Sequence, residues 1–273
     1  GAGLSTYGAV NGVGAKGGAA AAYGINVLGG LAENLTAAEI TVRATGGTSE
    51  YPNESANYKG CVNADGAGVT GISGGDGGTG AAYGVSNSGG SVGVTVTKIT
   101  AEAAGGAGAK GGSVAYRSGT PAGIGGDGGN GGNAYAYGVY GSGAASVTAV
   151  TADEIAASAT AGAAGAGAAV EYGVATAGQS GSKGEEAKAY GVYAAGGAVI
   201  ELSAKTGGSA LKINAQAADG AVTNEACAVY ADNATVLFGS KAELNWDGST
   251  GTDDGVVTGL NNATLGFNGT AAN

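Results

Sequence analysis

A Tyr-Gly-Val signature returns along this chain and governs what it can fold into. It stands at Tyr23-Gly24-Ile25, Tyr83-Gly84-Val85, Tyr137-Gly138-Val139, Tyr172-Gly173-Val174 and Tyr190-Gly191-Val192. Looser copies begin at Tyr7, Tyr58 and Tyr116. A last copy, Ala226-Cys227-Ala228-Val229-Tyr230, repeats Ala189-Tyr190-Gly191-Val192-Tyr193 with Cys in the Tyr place. Short and long intervals between copies alternate, so the unit is a pair of about 51–60 residues. A unit of this kind cannot bury its apolar face alone and must stack on its neighbours.

The long intervals carry a second motif, Leu35-Thr36-x-x-Glu39-Ile40-Thr41 followed by Gly46-Gly47. It returns as Val94-Thr95-x-x-Lys98-Ile99-Thr100, as Val150-Thr151-x-x-Glu154-Ile155, and more weakly as Lys212-Ile213-Asn214. Each long interval breaks into three short runs of β-formers, such as 82–85, 91–95 and 98–103, with small or polar turns between. None has a helical period. The short intervals are glycine tracts instead, such as Gly74-Gly75-Asp76-Gly77-Gly78 and the run 125–132.

Three strands per coil predict an all-β chain, a parallel β-helix of about ten rungs in which long rungs alternate with Gly-rich short ones. Parallel strands lie about 4.8 Å apart, so a repeated Tyr becomes a stacked column. The expected column is Tyr23, Tyr58, Tyr83, Tyr116, Tyr137, Tyr172 and Tyr190. A propeller blade or sandwich needs more strand residues than the glycine tracts leave. The tracts themselves fit either polyproline-II-like segments or outward loops. The organisation expected is one solenoid segment over 1–273, with paired Tyr-Gly-Val and Gly-rich repeats over 1–226 and more regular rungs over 227–273. Neither end carries a polar cap, which points to a stretch of a longer surface protein.

Composition narrows the chemistry. Gly (61) and Ala (59) make up about 44% of 273 residues, and a narrow coil needs such small interior residues. Disorder is disfavoured by 13 Tyr and a mean hydropathy of +0.10, and collagen by the irregular Gly spacing. There is no His, so Ser-His-Asp and Cys-His catalysis and His-ligated metals are excluded. A net charge of −10 argues against nucleic acid as a partner. No apolar run is long enough to cross a membrane.

No catalytic, cofactor or metal set emerges. The Gly-Gly-Asp-Gly-Gly tracts lack the Asp and apolar positions of a calcium nonapeptide, and lack a P-loop ending. The pairs Asp153-Glu154, Glu185-Glu186 and Asp253-Asp254 are adjacent residues, which point to opposite faces of a strand and do not converge. Cys61 and Cys227, about six rungs apart by the coil count, are expected as separate buried thiols. Five Asn-x-Ser/Thr sequons, at Asn34, Asn53, Asn233, Asn262 and Asn268, match what an Asn/Thr-rich turn composition gives by chance. Thr36, Thr95 and Thr151 form one sparse column, too little for an ice-binding array.

Toward the C-terminus the wording changes to Asn233-Ala234-Thr235-Val236-Leu237-Phe238-Gly239 and Asn261-Asn262-Ala263-Thr264-Leu265-Gly266-Phe267-Asn268-Gly269. This style resembles the passenger domains of autotransporters, Gram-negative surface adhesins built as right-handed parallel β-helices. The resemblance covers about 40 C-terminal residues and the general manner of the repeats. It implies a non-enzymatic extracellular or cell-surface protein. The expected partners are a host-cell or matrix surface, or further copies in a fibre. The alternative is a polysaccharide-binding or polysaccharide-cleaving β-helix protein.

Overall fold

A computed structural model describes residues 14–49, 71–112, 124–168, 176–248, 255–260 and 263–267. These residues form strands and turns without a helix, and the strands make three parallel sheets. The first sheet stacks β1 (Ala20–Val27), β4 (Gly80–Asn87), β7 (Ala134–Ser142), β10 (Glu186–Ala195), β13 (Thr223–Asp232) and β16 (Gly255–Leu260). The second stacks β2 (Gly30–Thr36), β5 (Gly90–Thr95), β8 (Val147–Thr151), β11 (Val199–Ser203), β14 (Thr235–Phe238) and β17 (Thr264–Phe267). The third stacks β3 (Glu39–Thr45), β6 (Lys98–Ala104), β9 (Glu154–Thr160), β12 (Leu211–Ala218) and β15 (Ala242–Gly248). Each turn of chain contributes one strand to each sheet in order, which is a parallel β-helix.

Side-chain size grades across the interior. Where all three sheets meet, the core is Val, Ile and Leu with Phe238, including Val85, Ile99, Val139, Ile155, Ile200 and Ile213. Where the first and third sheets converge, the core is almost wholly Ala, among them Ala82, Ala136 and Ala189 facing Ala103, Ala159 and Ala217. Beyond that edge the chain runs into glycine. The interior narrows until no side chain fits.

The glycine tracts form layers of their own. Gly71, Gly74, Gly77 and Gly80 donate backbone N–H to the carbonyls of Ile124, Asp127, Asn130 and Asn133 in the next return run, at 2.7, 2.7, 2.8 and 3.0 Å. Outgoing runs pair likewise, Gly105, Gly108 and Gly111 to Thr160, Ala163 and Ala166. A second set crosses between the layers in one zigzag, from Gly47 to Gly18, Gly78 to Gly47, Gly106 to Gly78, Gly132 to Gly106, Gly162 to Gly132 and Gly184 to Gly162, at 2.7–2.9 Å. Donors recur every third residue, the period of polyproline II and not the two-residue period of a strand. Of the two forms open to the tracts, the bonded polyproline-II-type bundle is the one adopted. A Cβ at Gly77, Gly106 or Gly132 would overlap the carbonyl of the facing run, so these positions admit only glycine.

Counting each tract as a rung gives about ten rungs. The described ladders hold five or six strands, because the tracts leave the solenoid and return to it. Consecutive long rungs are therefore direct neighbours. No helix among the described residues is long and apolar enough to cross a membrane.

Candidate functional site

The tyrosines make the most ordered side-chain array. Tyr23 pairs in register with Tyr83, Tyr83 with Tyr137, and Tyr137 with Tyr190. Their rings stack at centroid distances of 4.8, 4.9 and 5.4 Å. Tyr58, Tyr116 and Tyr172 lie outside the described residues, and the direct pairing of the other four leaves no rung between them. A second column, Tyr140, Tyr193 and Tyr230, stacks at 5.3 and 4.8 Å. It meets the first edge-on, with Tyr137 5.3 Å from Tyr140 and Tyr190 5.2 Å from Tyr193. The signal for it stands in the sequence, since Tyr137, Tyr190 and Cys227 are each followed three residues later by Tyr.

The glycine of the signature has its own cause. A Cβ at Gly24, Gly84, Gly138 or Gly191 would overlap Cγ2 of Ile40, Ile99, Ile155 or Ile213, the motif isoleucines of the third sheet. The two sequence motifs are thus one interlocking contact, repeated four times.

Exposure falls along the first column. Tyr23 is 47% exposed and Tyr190 5%. The Tyr190 hydroxyl donates to Glu225 Oε1 at 2.6 Å, and Lys188 Nζ lies 3.8 Å from Glu225 Oε2. Burial, then the Glu225 carboxylate, raises the Tyr190 phenol far above its ordinary range. Burial also raises Tyr83, Tyr137 and Tyr193. Nearby, the Tyr135 hydroxyl donates to Glu186, whose carboxyl this bond holds below the usual range. Cys227 continues the Tyr190 register on β13, fully buried, with Sγ 3.1 Å from the Val229 carbonyl. Cys61 lies outside the described residues.

The outer face of the third sheet carries a shallow groove of about 690 Å³. Its floor is Ala156, Ser158 and Thr160 of β9, between Glu102 on β6 and Asn214 and Gln216 on β12. Arg43 Nε lies 2.6 Å from Glu102 Oε2, and that hydrogen bond lowers the Glu102 carboxyl. Beside the groove runs a charge column, Glu39, Lys98, Glu154, Lys212 and Glu243, paired residue to residue. Lys98 Nζ is 3.1 Å from Glu154 Oε1.

Carboxylates that sequence singled out are engaged separately. Asp153 accepts from the Thr206 N–H and hydroxyl at 2.7 and 2.9 Å, while Glu154 faces Lys98. In the glycine runs, Asp76 Oδ1 accepts from the Asn130 N–H and Asp127 Oδ1 from the Gln179 N–H, both at 2.8 Å. Ser182 N–H likewise donates to Asn130 Oδ1 at 2.9 Å, so side chains hold the third amide of the triplet at Asn130, Gln179 and Ser182. Among the described residues no three Asp, Glu, Cys or His side chains gather as a metal site. Asp253-Asp254 and the sequons at Asn53, Asn262 and Asn268 lie outside the described residues. Asn34, at the register shift within β2, and Asn233, in the bend after β13, have left-handed backbone, with φ of 59° and 48°.

No family model matches this chain, and no curated protein matches it. A solved structure of a springtail antifreeze protein from Granisotoma rainieri, a bundle of nine polyproline type II helices, aligns with 24% identity over 66% of this chain and 91% of that one. Its TM-score is 0.19, too low to carry the likeness further.

Proposed function

We propose that this chain is a structural and adhesive solenoid of the bacterial surface or extracellular space, attaching to a host-cell or matrix surface or joining copies into fibres. The observation that carries this reading is the continuity of axial bonding. Each sheet passes its hydrogen bonds from turn to turn, and the glycine layers do the same alongside. Such a body is stiff and elongated, and it presents regular outer faces. Recombinant protein immobilised on beads should bind epithelial cells or matrix proteins, or should form fibres seen by electron microscopy. A monomer that binds none of these and forms no fibre would sink the proposal.

One observation favours a second reading, polysaccharide binding. The groove on the third sheet offers the Glu102 carboxylate, the Ser158 hydroxyl and the Gln216 amide in one cross-strand row, with the Thr160 hydroxyl and the Asn214 amide beside it. These groups suit sugar hydroxyls. Affinity electrophoresis against neutral and acidic glycans tests it, with Gln216→Trp filling the groove. Retardation that the variant abolishes supports glycan binding; none with any glycan dismisses it. The non-enzymatic part of the proposal is tested by hydrolase and lyase assays on the same glycans. Activity lost on changing Asp153 or Glu154 would overturn it.

A further inference from the structure

We propose that the two joined tyrosine columns are a one-electron relay, carrying an oxidising equivalent from exposed Tyr23 to buried Tyr190. Neighbouring rings along Tyr23, Tyr83, Tyr137 and Tyr190 have centroids 4.8–5.4 Å apart, so their π systems are in contact throughout. The entry is open to solvent and the end is closed, at 47% and 5% exposure.

What distinguishes the end is a proton acceptor. A diffusible one-electron oxidant, such as the azidyl radical, takes one electron from Tyr23 and becomes its anion. The Tyr23 phenol proton goes to water, leaving a neutral phenoxyl radical. Each hop then moves one electron from the next ring to the radical. The ring that receives it takes a proton back from water, and the partly exposed ring that loses it gives one up. At Tyr190 the O–H bond points at Glu225 Oε1, 2.6 Å away. The electron leaves Tyr190 and its proton moves to Glu225. The products are a neutral radical and a neutral carboxyl group. Burial opposes a phenolate there, but creates no such barrier to a neutral radical beside a neutral acid. The net change is one oxidant reduced, one phenol oxidised and one proton moved. The consequence is protective: the radical leaves the exposed ring, where it would couple with another molecule's tyrosine.

The second column makes the relay two-lane. If Tyr137 is lost, Tyr83, Tyr140, Tyr193 and Tyr190 still connect, at 5.6, 5.3 and 5.2 Å. The experiment exploits this. Azidyl radicals are generated by pulse radiolysis with the full chain, and dityrosine cross-links containing Tyr23 are quantified by peptide mass spectrometry. Tyr137→Phe alone should change the yield little, since the detour stays open. Tyr137→Phe with Tyr140→Phe cuts both lanes while keeping the stacked rings. The yield should then rise about tenfold, the effect of roughly 1.4 kcal/mol at the step that decides it. Glu225→Gln should act in the same direction. Equal yields in all four proteins would overturn the relay. A check on the unaltered chain is independent of folding of the variants. Freeze-quenched high-field electron paramagnetic resonance should show a tyrosyl radical with the lowered g-value of a hydrogen-bonded phenoxyl, and a signal without that shift refutes the assignment.

Discussion

A single missing methyl group explains the most persistent word in the sequence. Gly138 faces Ile155 so closely that a Cβ would come within 2.4 Å of its Cγ2, and the same pair recurs as Gly84 with Ile99 and Gly191 with Ile213. On β13 the register places Ala228 beside Gly191, and there the strand opposite carries Leu244, which has no branch at Cβ. The exception supports the cause, since a methyl is accepted where the facing β-branch is gone. Gly138→Ala should therefore destabilise by about 1–3 kcal/mol, the usual cost of overpacking a filled core. Adding Ile155→Leu should return part of that loss, the remainder being the close carbonyl of Gly191. Urea midpoints of the two single variants and the double complete a mutant cycle. Additive losses would show that the glycine answers only to the backbone.

Ladders make each element answer for its column. Tyr83, Tyr137, Tyr190 and Tyr193 all have phenols raised by burial. A phenol raised in the folded state contributes stability that is whole below the unfolded value, about 10, and is lost as pH rises above it. Thermal midpoints should hold steady from pH 7 to 9 and fall beyond pH 10. The fall between pH 9 and 11 should be smaller in Tyr137→Phe, and an equal fall would remove the ladder from the explanation. The charge column obeys the same logic. Reading alternate glycine tracts as intervening rungs sets Glu39, Lys98 and Glu154 about 9.6 Å apart, whereas the strands pair directly and bring them to about 4.8 Å. Lys98→Glu then places three carboxylates in succession. With the side chains about one-third exposed, the cost should be about 1 kcal/mol at low salt and smaller at high salt. A loss independent of salt would trace to packing of the Lys stem. Strand bounds were legible here because their signals are local: the runs expected at 82–85, 91–95 and 98–103 lie within β4, β5 and β6. Membership of the ladder was not. The letters Tyr-Gly-Val mark a rung without saying which rung is its neighbour, and the direct pairing of Tyr137 with Tyr190 follows from the register of β7 and β10.

At the scale of the whole molecule, one gradient of side-chain size joins two architectures. Isoleucine and valine fill the wide end of the coil, alanine the narrow end, and glycine the layers beyond it, where backbone packs on backbone. The abundance of Gly and Ala was readable as a need for small residues. The bundle was not, because a glycine tract looks the same whether its amides meet water or another chain. The bonded triplet makes a prediction that distinguishes these cases. In the run 124–133, Gly125, Gly128 and Gly131 donate to the next return run, while Gly126, Gly129 and Gly132 donate across to the outgoing layer. Asp127, Asn130 and Asn133 take the third place of each triplet, and the Asn130 amide is held by the Asp76 side chain. Amide exchange followed by nuclear magnetic resonance should show two slow amides and one fast in every three. The fast class should exchange about tenfold faster or more, a difference of roughly 1.4 kcal/mol or more in opening. Asp76→Ala should speed the Asn130 amide and leave the glycines on either side protected. Alternate protection would mean strands, uniform fast exchange would mean loops, and either result would dissolve the bundle while leaving the three sheets untouched.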